Sequence, residues 1–142
     1  MNPKKAGRFL KAAPSRGPVV SVLLVDQDAS DLEAFSMLLE KDGYTVRACD
    51  NHAHALQRLE SEVFDFIIVS QGSPAFEGRS ILRRANEIDR ELPVLVLARC
   101  HDIGCYLEAI HLGALEYLEK PLPAPELLQF VKNHLRARSQ AA

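Results

Sequence analysis

The sequence predicts an α/β domain on a five-stranded parallel sheet, doubly wound so that helices cover both faces. Three observations carry that prediction. The apolar runs Val22-Leu23-Leu24-Val25, Phe66-Ile67-Ile68-Val69 and Val94-Leu95-Val96-Leu97 are continuous rather than alternating, which marks strands buried on both faces. Helix-patterned segments lie between them, as the crossovers between parallel strands require. Strand-like and helix-like segments alternate five times from Val19 onward.

The elements follow in order. After the first run ends at Asp26, a helix is expected to start near Ser30, whose spacing to Glu33 fits a capping box, with Leu32, Phe35, Leu38 and Leu39 on one face and Gly43 as its stop. Tyr44 to Ala48 reads as a short strand, and Ala55, Leu56 and Leu59 give a brief second helix before the buried run from Phe64 to Val69. The loop from Gln71 to Gly78 holds Pro74 and two glycines and leads to a helix with Ile81, Leu82, Ala85 and Ile88 turned inward. Pro93 introduces the fourth strand. A fourth helix runs from about Ile103 to Leu112, with Leu107 and Ile110 inward and Gly113 beyond its end. The run from Leu115 to Pro121 supplies the fifth strand, and the last helix starts at Pro125 with Leu128, Val131 and Leu135 as its apolar stripe.

A chain of 142 residues with 47% hydrophobic residues is one domain with a sizeable core. The boundaries read as a flexible basic N-terminal tail over 1–18, a folded domain over 19–138 and a C-terminal tail over 139–142. Nothing in it resembles a membrane span or a signal peptide, so a cytoplasmic location is expected. The net charge of −2 hides an asymmetry: residues 1–18 carry Lys4, Lys5, Arg8, Lys11 and Arg16 and no acid, leaving 12 basic against 19 acidic residues, a net −7, in the remainder. Such a body repels nucleic acid. Cys49, Cys100 and Cys105 form no even-numbered framework and read as reduced thiols in or near a core.

In an open sheet of this kind ligands bind beyond the carboxyl ends of the strands, where strand order reverses. The strands end at Asp26, Ser70, Ala98 and, for the fifth, at Lys120 before Pro121, so these residues are candidates for one pocket. Ser70 is no convincing nucleophile, since Val69-Ser70-Gln71-Gly72 lacks the glycine that a nucleophile elbow places two residues earlier. Cys100, His101, Cys105 and His111 match no common zinc spacing and read as core thiols and surface imidazoles. Arg79, Arg83 and Arg84 read as a solvated helix edge.

The chain resembles the receiver domain of two-component response regulators over residues 20 to 138. The likeness rests on Leu23-Leu24-Val25-Asp26 before an acidic turn, Phe64 to Val69 before a loop with Pro74 and Gly78, Leu92-Pro93-Val94-Leu95-Val96-Leu97, and Leu112-Gly113-Ala114 through Tyr117-Leu118-Glu119-Lys120-Pro121. It implies a flavodoxin-like (βα)5 fold with strand order 2-1-3-4-5. In that family two adjacent acids end the first strand, a third acid ending the third strand accepts a phosphoryl group from a histidine kinase, and magnesium bridges them. A lysine neutralises the product.

Carried onto this chain, the resemblance gives an altered pocket of Asp26, Gln27, Ser70, Ala98, Lys120 and Pro121. Gln27 stands at the second acid, Ser70 at the acceptor, and Ala98 at the hydroxyl residue that follows the phosphoryl group. The metal position becomes Asp26, Gln27 and Gly72, with only one carboxylate, so magnesium binding is expected to be weak or absent and no cofactor is expected. Asp28 is read as a cap of the first helix rather than a replacement ligand. Lys120 is expected to pair with Asp26 and to hydrogen-bond Ser70, and the Lys120-Pro121 bond to be cis, as receivers commonly have it. Tyr117 matches an aromatic that swings inward in the family; beside Ala98 it reads as an ordinary strand-edge tyrosine. The family's interaction face maps to Tyr106, Glu116, Tyr117 and Glu119.

The function expected is therefore that of a stand-alone receiver-like signalling domain that contacts another protein, without aspartyl phosphorylation and without enzymatic activity. A homodimer through the fourth helix, fifth strand and fifth helix is a further expectation. The alternatives are a residual phosphorelay receiver using Asp26, Asp28 or Ser70, and a hydrolase or other enzyme on the same fold.

Overall fold

A computed structural model describes residues 19–141, so the basic segment 1–18 and Ala142 lie outside the described residues. Five strands, β1 (Ser21–Val25), β2 (Thr45–Cys49), β3 (Phe66–Ser70), β4 (Val94–Ala98) and β5 (Glu116–Glu119), alternate with five helices, α1 (Ala29–Lys41), α2 (His52–Ser61), α3 (Arg79–Ile88), α4 (Ile103–His111) and α5 (Ala124–Ala141). The sheet is parallel in the order β2-β1-β3-β4-β5, the doubly wound fold expected. Helix α5 continues to Ala141, three residues past the expected domain end at 138, because nothing in Arg138-Ser139-Gln140-Ala141 breaks a helix.

The continuous apolar runs are explained by two core layers, one on each face of the sheet. Leu23, Val25, Ile67, Val69, Val94 and Val96 point to the layer shared with Ala55 and Leu59 of α2, Ile81, Leu82 and Ala85 of α3, and Cys105 and Ala109 of α4. Val22, Leu24, Phe66, Ile68, Leu95 and Leu97 point to the other, against Phe35 and Leu39 of α1 and Leu127 and Val131 of α5. Successive side chains of a strand alternate between faces, so a strand between two helical layers needs an apolar residue at every position.

Several sequence expectations shift by a few residues for identifiable reasons. Helix α1 starts at Ala29, next to the expected Ser30, and its cap is Asp28 as read from the sequence rather than a Ser30–Glu33 capping box: the Asp28 side chain accepts a hydrogen bond from the Asp31 N–H at 3.0 Å. Gly43, with φ +99°, follows that helix in the left-handed conformation glycine tolerates best.

Helix α4 departs most. Leu107 and Ile110, expected inward, are 60% and 41% exposed, as is Ile103 at 67%, while Cys105 and Ala109 face the sheet. Small residues on the inner face let the helix approach the sheet closely, which leaves the larger apolar stripe outside. Ile88, expected inward on α3, is also exposed at the helix's last position. All three thiols are free; Cys49 and Cys105 are buried, whereas Cys100 is exposed in the loop after β4.

Candidate functional site

The strand ends converge as topology requires. Asp26 follows β1, Ser70 ends β3 and Lys120 follows β5, and a cavity of about 240 Å³ opens among Asp26, Gln27, Asp28, Ser70, Gly72, Leu97, Arg99 and Lys120. Ala98 lies outside this lining: its methyl group joins the core layer that contains Tyr117. The Lys120-Pro121 peptide bond is cis.

Asp26 is 2% exposed, and both of its carboxylate oxygens are engaged. Oδ1 accepts the Asp28 N–H at 3.0 Å and Oδ2 accepts Lys120 Nζ at 2.7 Å. The second partner of Lys120 is Asp31, in the first turn of α1, at 2.8 Å. Burial works to lower the Lys120 pKa, but the hydrogen bonds and charges of Asp26 and Asp31 outweigh it and hold the ammonium above its ordinary value.

Ser70 departs from expectation in its partner. Its hydroxyl donates to Gln27 Oε1 at 2.6 Å rather than bonding Lys120, because the longer Gln27 side chain brings an acceptor to it while Lys120 is drawn to Asp26 and Asp31. His52, at the start of α2, closes this side of the site. Its Nε2–H donates to the Ser70 carbonyl at 3.0 Å, which leaves Nδ1 facing the Gln27 amide at 3.5 Å. Gly78 is needed just beyond, since a Cβ there would lie 2.5 Å from the Ser70 carbonyl oxygen.

At the mouth, Arg99 Nη2 donates to Asp28 Oδ2 at 3.1 Å. The Asp28 carboxyl is held below its ordinary range, first by the Asp31 N–H it caps and also by Lys120 and Arg99, against the opposing effect of burial. Among the described residues, no three of His, Cys, Asp and Glu are grouped so as to hold a metal ion. Asp26 and Asp28 each hydrogen-bond protein groups, and Gly72 contributes only backbone to the lining.

On the neighbouring face, Tyr117 sits on the edge strand as read from the sequence, yet it is only 6% exposed. Its hydroxyl donates to Gln71 Oε1 and accepts the Asp102 N–H at 3.3 Å. Burial raises the Tyr117 hydroxyl pKa, with the Asp102 N–H opposing. Of the other residues expected on this face, Tyr106 and Glu116 are half-buried and Glu119 is exposed. Arg79 and Arg84 are not a free basic edge; they pair with Glu108 and Glu60.

Sequence reasoning missed Asp31, Arg99, His52 and Gln71. Asp31 had a signal, since an acid in the first turn of a helix that follows a strand-end aspartate lies near the same sheet edge. His52 and Gln71 had none beyond adjacency to the site.

The geometry has counterparts among known proteins. Residues 22–132 match the family described as the response regulator receiver domain. The chain is 31% identical over 111 residues to the transcriptional regulatory protein ZraR of Klebsiella oxytoca, covering 78% of this chain and 25% of that protein. It is 26% identical over 121 residues to the transcriptional regulatory protein FixJ of Bradyrhizobium diazoefficiens, covering 85% of this chain and 59% of FixJ. The chain thus spans a minor part of ZraR and somewhat over half of FixJ. Among solved structures, a CheY-like receiver domain protein from Methanospirillum hungatei JF-1 superposes with a TM-score of 0.80 at 22% identity, covering 87% of this chain and 99% of that one. A receiver domain protein from Clostridium thermocellum gives 0.75 at 26% identity, covering 87% and 100%. No helix among the described residues is long and apolar enough to cross a membrane. With the family profile spanning most of the chain and the sheet order and strand-end pocket in agreement, this chain belongs to the response regulator receiver family.

Proposed function

We propose that this receiver domain signals by protein contact and not by phosphorylation on aspartate. The observation that carries the reading is Ser70: the acceptor position holds a hydroxyl, 6% exposed at the residue level, that is spent on Gln27. A serine whose hydroxyl donates to a neutral amide oxygen has no base hydrogen-bonded to it that would make it a nucleophile.

The donor set also argues against a tight magnesium site. Magnesium is anchored by one or two carboxylates in near-octahedral oxygen geometry. Here Asp26 is the sole carboxylate at the metal position, both its oxygens are engaged, and Gln27 Oε1 is occupied by Ser70. No step of the proposed function runs through a metal or another cofactor, and none requires enzymatic activity.

The partner on this reading is a signalling protein, since the curated relatives are transcriptional regulatory proteins. The acidic body disfavours nucleic acid and anionic membrane as the ligand of the domain itself. Contact through α4, β5 and α5, including self-association, fits the exposed Ile103, Leu107 and Ile110. A cytoplasmic setting agrees with free thiols. Sedimentation of a monomer across micromolar concentrations would count against the homodimer.

The deciding experiment is an amide chemical-shift titration with magnesium and beryllofluoride. The expected result is no saturable shift at Asp26, Ser70 or Lys120. Shifts centred on those residues would overturn the proposal in favour of a residual phosphorelay role on Asp26, Asp28 or Ser70.

A further inference from the structure

Outside the strand-end pocket, one buried polar cluster joins three separate segments at a single oxygen atom. Tyr117 comes from β5, Gln71 follows β3, and Asp102 is the N-cap of α4. The Tyr117 hydroxyl donates to Gln71 Oε1 and accepts from the Asp102 N–H at 3.3 Å.

Each partner is itself fixed. Gln71 is 3% exposed; its Nε2 donates to the Ser73 carbonyl at 3.2 Å and its backbone N–H to the Leu97 carbonyl at 2.7 Å. Those bonds assign the amide orientation, because only Oε1 then remains to accept the tyrosine proton. Asp102 Oδ1 accepts the Cys105 N–H at 2.9 Å, so the residue that meets Tyr117 also sets the first turn of α4. The Tyr117 ring packs edge-on against Tyr106 and His101, with centroids 5.6 and 5.7 Å apart. Ala98, 1% exposed, lies in the same core layer and brings no hydroxyl that would compete for Gln71.

We propose that Tyr117 is a positioning residue that clasps the start of α4 to Gln71, so that the exposed stripe of Ile103, Leu107 and Ile110 is presented in one standing orientation without a covalent trigger. The clasp follows from its own hydrogen bonds. Its being standing rather than triggered rests on the phosphate-independent reading above. Releasing the ring to solvent would leave a buried carboxamide oxygen without its partner, and that cost holds the clasp closed.

Two measurements on the intact chain test this. Of the three tyrosines, Tyr117 is expected to resist nitration by tetranitromethane while half-buried Tyr106 reacts, and Gln71→Leu is expected to make Tyr117 reactive. In Tyr117→Phe, hydrogen exchange at the Asp102 amide is expected to quicken roughly three- to tenfold, the range that one hydrogen bond's net worth implies. Exchange at Leu39, in the opposite core layer, is expected to stay unchanged, which separates a local release from global destabilisation. Methyl shifts of Ile103 and Leu107 should move in both variants. Nitration of Tyr117 at the rate of Tyr106 in the unaltered protein, or unchanged Asp102 exchange in Tyr117→Phe, overturns the clasp. Protection of Tyr117 that arises only on adding magnesium and beryllofluoride overturns its standing character and the phosphate-independent reading together, while the hydrogen-bond geometry survives.

Discussion

Replacing Lys120 by methionine tests whether the strand-end pocket is a structural polar cluster. Methionine keeps most of the apolar stem, so the change falls mainly on charge. Asp26 lies 2.7 Å from the ammonium, and the side chains are 3% and 9% exposed. At an effective dielectric of about 20, two unit charges roughly 4 Å apart attract by about 4 kcal/mol. The desolvation of both ions offsets most of that in the native pair, but the loss of one partner leaves Asp26 buried with its desolvation uncompensated, which typically costs about 3–5 kcal/mol. Asp31 adds little, because a side chain 36% exposed is screened by water. With a urea m-value of about 1.5–2 kcal/mol/M, Lys120→Met should lower the unfolding midpoint by roughly 2 M, read by circular dichroism in a chain without tryptophan. Asp26→Asn removes the same ion pair but leaves Lys120 an amide oxygen and Asp31, and should cost about half as much. The double variant should be no worse than Lys120→Met alone. A midpoint shift for Lys120→Met below roughly 0.5 M, or strict additivity in the double variant, would refute the structural account and point to a lysine kept for a ligand.

Other consequences are checked more briefly. Ser70→Asp alone should not accept label from a small phosphoryl donor with magnesium, since Gln27 still withholds a ligand; robust labelling of that single variant, measured by mass shift, would show that Gln27 is not decisive. Leu107→Gln should change stability by no more than about 0.5 kcal/mol, whereas Ala109→Leu, at a fully buried position, should cost about 1–3 kcal/mol by overpacking; urea midpoints in the reverse order would overturn the orientation of α4. His134 is held below its ordinary value of about 6.5, first by burial and then by Arg138, with its Nε2 unpartnered and its ring edge-on to Phe66. Because its folded pKa is depressed, the unfolded chain takes up the proton first, so this group's contribution is present above about pH 6.5 and is lost as pH falls through the folded pKa. His134→Leu should flatten that part of the pH dependence, and a slope identical to the unaltered chain's would exclude His134 as its source.

The sheet was legible in the sequence because β1, β3 and β4 lie between two helical layers and need an apolar residue at every position. The helix registers were less so. In α4 the inward residues are Cys105 and Ala109, and hydrophobicity alone selects the larger Ile103, Leu107 and Ile110, although small residues are what a close helix-sheet approach requires. The site positions Asp26, Ser70 and Lys120 could be read from strand ends, since topology places them together. Their partners could not. Whether Ser70 bonds Lys120 or Gln27 depends on side-chain reach and on competition for the lysine, and Asp31, in the first turn of α1, takes a share of Lys120. The burial of Tyr117 is hidden from the sequence for the same reason: an edge strand exposes its backbone edge, but α4 and the loop after β3 can still cover one of its side chains.

The pairing pattern argues further than the substitutions alone. A pocket that awaits a charged ligand keeps groups whose best partner is that ligand, so that binding gains more than it disrupts. Here Asp26 is satisfied by Lys120 and a backbone N–H, Lys120 by two carboxylates, Ser70 by Gln27, and Asp28 by the α1 cap and Arg99. A phosphoryl group at Ser70 would have to draw Lys120 away from both Asp26 and Asp31, leaving a buried carboxylate without its counter-charge. Restoring the acceptor carboxylate by itself adds a third acid to that competition without supplying the metal that balances it. On this reading the order of change needed to recover phosphate chemistry is Gln27 first and Ser70 second, and Ser70→Asp/Gln27→Asp should take up magnesium where Ser70→Asp does not, an outcome that calorimetric titration with the metal alone decides.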